Sequence, residues 1–140
     1  MNIKELIEQR LLRKIPPDPD KVKKSIEIAE TFLNDANDLN KQKKHRLTIL
    51  AAYTAMFHAA RAILYRDGIQ EKSHYAIYVY LKEKYEHELE DSLFELNAAR
   101  EQRHQGTYGL DYEFDKSDAE HIVSEAKKFI LKAKRILKGE

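Results

Sequence analysis

Apolar residues recur along most of this chain at steps of three and four, the spacing that keeps one face of a helix turned inward. Ile3, Leu6, Ile7 and Leu11 predict a short amphipathic helix over Met1–Lys14, stopped by Pro16, Pro17 and Pro19. Asp18 is placed to cap a second helix with Pro19 at its first position, and Ile26, Ala29, Leu33 and Ala36 form its apolar stripe. That stripe is expected to loosen in the polar stretch Asn34–Asn40. The strongest period belongs to a third helix. Leu50, Tyr53, Phe57, Ala60 and Leu64 lie beside a second stripe of Ile49, Ala52, Met56, Ala59 and Ile63. Two adjacent stripes make a face wide enough for the centre of a bundle.

Gly68 after Asp67 supplies a left-handed stop, and Ser73 caps a tyrosine-rich segment, Tyr75 to Tyr85. From Glu88 a further helix carries Leu89, Leu93 and Leu96, and its stripe then reaches Arg100 and Arg103. Gly106 and Gly109 are expected to break it, with a loop to Phe114. Ser117-Asp118-Ala119-Glu120 matches a capping box, and Ile122, Ala126, Phe129, Ala133 and Ile136 carry a last helix. Strand-like alternation is absent. The fold class predicted is all-α, an antiparallel up-and-down bundle of about five or six helices in a single domain, residues 1–140.

Composition narrows the chemistry. The 140 residues carry a net charge of +1, so any polyanion must be met by a local patch rather than a global field. Cysteine is absent, which excludes disulfides and thiolate metal sites and fits a reducing cytoplasm. Lys4, Glu5, Glu8 and Arg10 interrupt the first apolar positions, unlike a secretion signal. The apolar stretch Leu47–Leu64 holds His58 and Arg61, so it reads as a core helix rather than a membrane span. The six histidines include no pair four residues apart, and no Walker, GxGxxG or GxSxG motif occurs; no metal or cofactor is expected. The basic run Lys41–Arg46 reads as a solvated helix start, and Tyr75, Tyr78 and Tyr85 as a packing or dimer stripe.

The arginines at the end of a core-facing stripe stand out, because guanidinium is rarely buried without an anion. Arg100, Arg103, His104 and Tyr108 form the candidate group. Cutting RNA without metal needs a base on the 2′-hydroxyl, an acid on the leaving oxygen and cations about the phosphate. Histidine can serve either proton step, and the planar arginine fork suits phosphate oxygens. The structural alternative is pairing of both arginines with Glu95, Glu101 or acidic residues of neighbouring helices.

The segment from Ala51 to Leu64, AAYTAMFHAARAIL, resembles the signature helix of the HEPN domain family, and within it the small stand-alone branch that carries AYYAMFHAARALL. Gly68 followed by Lys72-Ser73-His74 is similar to that branch's G…KTH segment. Arg103-His104-Gln105-Gly106-Thr107-Tyr108 falls where its arginine-rich helix end lies. The resemblance runs from about Leu33 to the last helix. It implies a homodimer with two arginine-bearing helix ends in a shared cleft, and a ribonuclease toxin paired with a minimal nucleotidyltransferase antitoxin. The family's active pattern is Arg, a polar residue, three or slightly more further residues, then His. Carried over, Arg103 is the motif arginine and His104 the polar residue, while Tyr108 stands where the catalytic histidine belongs. Arg100, His74 and Lys72 are expected to bind the ligand. Because tyrosine with a pKa near 10 is a poor base, a non-catalytic nucleotide-binding or interaction module partnering the transferase is the alternative function.

Overall fold

The computed structural model describes residues 1–110 and 112–139. Six helices and a two-stranded ribbon follow in the order α1 (Ile3–Glu8), β1 (Leu12–Lys14), α2 (Pro19–Lys41), α3 (His45–Arg66), β2 (Ile69–Glu71), α4 (His74–Leu89), α5 (Asp91–Tyr108) and α6 (Lys116–Leu137). The central element is α3, as its double stripe predicts. It packs along α2 and is also covered by α5 and α6. Ala52, Ala55, Met56, Ala59, Ala60 and Ile63 are fully buried, and the run of alanines lets the neighbouring helices approach closely. By length and composition α3 could cross a membrane, but most of its apolar surface is already covered by these helices. Its partners in the core include Ala29 and Ala36 of α2, Leu93 and Leu96 of α5, and Phe129 and Ala133 of α6.

Several boundaries depart from the sequence expectations. α1 stops at Glu8, and residues 12–14 pair antiparallel with residues 69–71 instead of extending the helix. Three-residue strands are too short to display an alternation, and their pairing is set by a partner far along the chain. α2 does not loosen at Asn34–Asn40. Ala36 stays fully buried against α3, so packing carries the helix through a polar stretch to Lys41. The predicted caps hold at Asp18, which accepts from Lys21 N–H at 3.1 Å, and at Ser73, which accepts from Ala76 N–H at 3.0 Å. Gly68 has φ +75°, and a Cβ there would lie 2.6 Å from the Ile15 carbonyl oxygen, so the left-handed stop also serves the ribbon.

The arginine-bearing helix starts at Asp91, not Glu88. Leu89 closes α4, and Glu90 takes φ 50° between the two helices. Gly106 does not break α5. It is buried within the helix, where a Cβ would stand 3.2 Å from the Phe114 ring, so its role is close packing. Gly109 ends the helix instead. The last capping box is Asp115 with Asp118, each side chain accepting from the other's backbone N–H at 2.9–3.0 Å, rather than Ser117 with Glu120. Arg46, from the basic run, is not merely solvated. It donates to the carbonyls of Gly106 and Tyr112 at 2.6 Å each and ties the end of α5 to the start of α3.

Candidate nucleic-acid interface

Three helices meet around the arginines. On α5, Arg100 donates through Nε and Nη2 to the side-chain oxygen of Asn97 at 3.2 and 3.1 Å, a neutral partner. Its guanidinium carbon lies 5.6 Å from the Tyr75 ring centroid, which draws it to the start of α4. Its nearest carboxylate, Glu101, stands off at 4.0 Å and is mostly exposed. Arg103 is half-buried and makes no ion pair among the described residues. The alternative of internal neutralisation is met for Arg100 only by this long contact with Glu101, and for Arg103 by no carboxylate among the described residues.

Next to Ser73, His74 opens α4. Its ring stacks on Phe57 of α3 with centroids 4.2 Å apart and planes within 11°. Its Nδ1 lies 2.7 Å from the hydroxyl of Tyr53, one turn earlier on α3. Burial lowers the His74 pKa below its ordinary value, and the positive fields of Arg103, Arg100 and Arg61 lower it further. Burial also pushes the Tyr53 phenol well above its usual range, against the same Arg100 and Arg103. Two groups on different helices thus feel the same pair of cations. Arg100 and Arg103 lie within electrostatic reach of His74, whose ring rests against Tyr53 and Phe57.

Arg61 lies on the next turn of α3 but is not free. Its Nε sits 2.6 Å from Glu71 Oε1, an ion-pair contact off the N–H axis, and its Nη2 donates to the Tyr65 hydroxyl at 2.6 Å. Beside it, His58 stacks on Phe32 at 5.8 Å, and its pKa is lowered by burial and then by Arg61. His58 is thus a half-buried histidine packed between α2 and α3.

His104 and Tyr108 take a different flank. Successive residues on a helix diverge by about 100°, so His104 leaves the half-buried side of Arg103 and is exposed. It pairs with Tyr108, ring centroids 5.0 Å apart, and Tyr108 is 64% exposed. Lys72 is exposed at the turn before α4, with its backbone N–H held by the Leu11 carbonyl at 2.9 Å. Tyr53 was not distinguishable from core by its sequence position. Only the contact with His74 across helices gives it a polar role.

A metal-ligating set does come together elsewhere. Donor atoms of Glu95 on α5 and of His121 and Glu125 on α6 lie within 4.8 Å of one another. Each already has a protein partner: His121 Nε2 contacts Glu95 at 2.9 Å, and Glu125 pairs with Lys128 at 3.3 Å. Spacing along one helix does not reveal a set that crosses two helices.

Comparison with known proteins matches residues 22–136 to the HEPN domain. The chain belongs to the HEPN domain family. It is 32% identical over 118 residues to a UPF0332 protein of Archaeoglobus fulgidus, covering 82% of this chain and 94% of that protein. A Methanocaldococcus jannaschii protein named "Putative toxin MJ0142" is 28% identical over 128 residues, covering 85% of this chain and 87% of that one. The UPF0332 protein PH1297 of Pyrococcus horikoshii is 43% identical over 56 residues, 40% of this chain and 39% of that one.

In this HEPN domain the two depressed histidines make stability depend on pH. Unfolded His58 and His74 regain an ordinary pKa near 6.5, so below that value the unfolded chain binds more protons than the folded one. Their contribution is complete above about pH 6.5 and declines as pH falls through the lower folded values. Glu71, whose pKa burial raises, acts with the opposite sign, in a window set by carboxylate values. The urea midpoint is expected to fall between pH 7 and pH 5, and to fall less in His74→Phe. An equal decline in both proteins would remove His74 from the effect.

Proposed function

We propose that this HEPN protein is the toxin of a toxin–antitoxin pair, a metal-independent endoribonuclease that binds RNA through Arg100 and Arg103. The observation that carries the reading is a pair of guanidiniums weakly met by carboxylates among the described residues, Arg100 by exposed Glu101 at 4.0 Å and Arg103 by none, beside a half-buried imidazole whose protonation is opposed. Such cations stabilise the charge that builds on a phosphate during transesterification. His104, exposed one residue beyond Arg103, exchanges the proton, and Tyr108 beside it holds a phosphate oxygen. Lys72 and His74 contact the ligand from the start of α4. The toxin names among the relatives support this assignment.

The partners follow the same reading: a second copy of the chain, a minimal nucleotidyltransferase as antitoxin, and RNA, all in the cytoplasm. Exposed Phe94, Tyr108 and Leu110 on the outer side and end of α5 support a self-association surface near the arginines. Single-stranded RNA incubated in EDTA with wild type, Arg103→Ala and His104→Ala tests the activity. Wild type is expected to cut despite chelation, and each variant to be slower by roughly 10²-fold. Intact RNA with wild type, together with measurable nucleotide binding, would instead establish the non-catalytic module.

A further inference from the structure

We propose that His74 serves the site as an uncharged hydrogen-bond donor, presenting Nε2–H to a phosphate oxygen held by Arg100 and Arg103, with Tyr53 as the positioning residue that sets its tautomer. The inference rests on the ribonuclease reading and specifies how one of its residues acts.

The argument begins at Tyr53. Its hydroxyl is part-buried, and its described hydrogen-bond partner is His74 Nδ1 at 2.7 Å. A buried phenol whose ionisation is strongly opposed keeps its proton, and the acceptor described beside it is His74 Nδ1. Donation to Nδ1 requires that nitrogen to carry a lone pair. In an uncharged imidazole the ring proton then resides on Nε2, because one nitrogen donates when the other accepts. The ring is uncharged near neutral pH, since burial and the three nearby guanidiniums all oppose protonation. Phe57 stacked at 4.2 Å fixes the ring plane, and Ser73 capping Ala76 N–H fixes the backbone beneath it. Nε2 lies on the edge away from Tyr53, has no hydrogen-bond partner among the described residues, and is not sealed from solvent.

The arrangement therefore separates two tasks. The arginines supply charge, and His74 supplies direction without adding a third positive charge to a crowded cluster. It also excludes His74 as the base that takes the 2′-hydroxyl proton, since its Nε2 is already protonated and its Nδ1 is occupied.

The test uses the intact protein. Long-range proton–nitrogen NMR at pH 7.5 is expected to show His74 with a protonated Nε2 and a bare Nδ1, and a mixture of tautomers in Tyr53→Phe. Two variants separate donor from base: His74→Phe keeps the stacked ring without a donor, and His74→Gln returns an N–H near the Nε2 position. The kcat/KM for RNA is expected to fall about 10²-fold in His74→Phe and to recover to within about tenfold in His74→Gln. Affinity for uridine 3′-monophosphate should follow the same order. Equal inactivity of the two variants in a wild type that cuts RNA would make His74 a base and overturn the donor role, leaving the nuclease intact. A protonated Nδ1 in the spectrum would overturn it regardless of activity. A wild type that neither cuts RNA nor binds the nucleotide would remove both the nuclease reading and the donor role.

Discussion

Replacing both arginines, Arg100→Ala/Arg103→Ala, is expected to slow RNA cleavage about 10²–10³-fold while leaving the fold as stable as before. Removing one donor to a developing phosphate charge costs about 10²–10³-fold. The two act as a unit on one phosphate, so the double variant is expected to fall little below the worse single one. The stability expectation follows from what the side chains touch. Arg100 is bonded to the amide of Asn97 and only grazes Glu101, and Arg103 has no ion pair among the described residues. Both, like Arg61, act on the His74 imidazole, so their removal lessens the positive field at that ring. His74 provides an internal check. Its pKa should rise in the double variant but stay below the ordinary value, because burial, the larger cause, remains. Histidine titration by NMR reads this directly. An unmoved His74 would mean that the arginines do not share its site, and a lowered unfolding midpoint would mean that they are structural.

The second large effect concerns a separate polar cluster at the other end of α3. Asp67 accepts hydrogen bonds from the hydroxyls of Tyr80 and Tyr85 at 2.8 and 2.5 Å and contacts Arg66 Nε at 3.3 Å. Arg66 donates onward to the Tyr85 hydroxyl at 2.8 Å and to the Ile136 carbonyl. One carboxylate thereby joins α3, α4 and α6, and it does so where α4 leaves helical geometry at Tyr85, with φ −133° and ψ 23°. Burial and then Asp67 push the Tyr85 phenol up to about 12. Asp67→Ala strands two part-buried phenols and frees an arginine. At about 1–3 kcal/mol for each unsatisfied donor, the loss is expected to be about 3 kcal/mol. That is a large share of the roughly 5–15 kcal/mol that holds a domain together. Asp67→Asn keeps one acceptor and should lose less. Urea unfolding of both variants and of Tyr80→Phe checks the ordering. RNA cleavage by whatever fraction remains folded should be unchanged, since Asp67 lies about 15 Å along α3 from Phe57.

What the chain discloses before folding depends on the range of the interaction. The apolar stripes of α3 and α6 were legible because helical period is local, and so were the caps at Asp18 and Ser73. The ribbon was not, because residues 12–14 and 69–71 acquire strand geometry only from each other. Gly106 misled for a related reason. A glycine is a helix breaker in isolation, yet here Phe114 and Leu50 need the space a Cβ would fill. At the site, Arg100 and Arg103 could be picked out by their place on a buried stripe, and His74 by resemblance to a family segment. That these three lie within reach of Tyr53 is a property of α3, α4 and α5 packed together. Tyr53 looked like one more core aromatic until its hydroxyl met an imidazole.

The ribbon has a further implication. By joining Leu12–Lys14 to Ile69–Glu71 it fastens the chain just before α2 to the chain just after α3, like a buckle across the mouth of a hairpin. The same strand carries Glu71, the counter-ion of Arg61. Closing so long a loop costs conformational entropy that grows only slowly with its length. The α2–α3 hairpin is thus closed at its mouth by the ribbon, and wear at the buckle would slacken the anchorage of Arg61 before it disturbed α5.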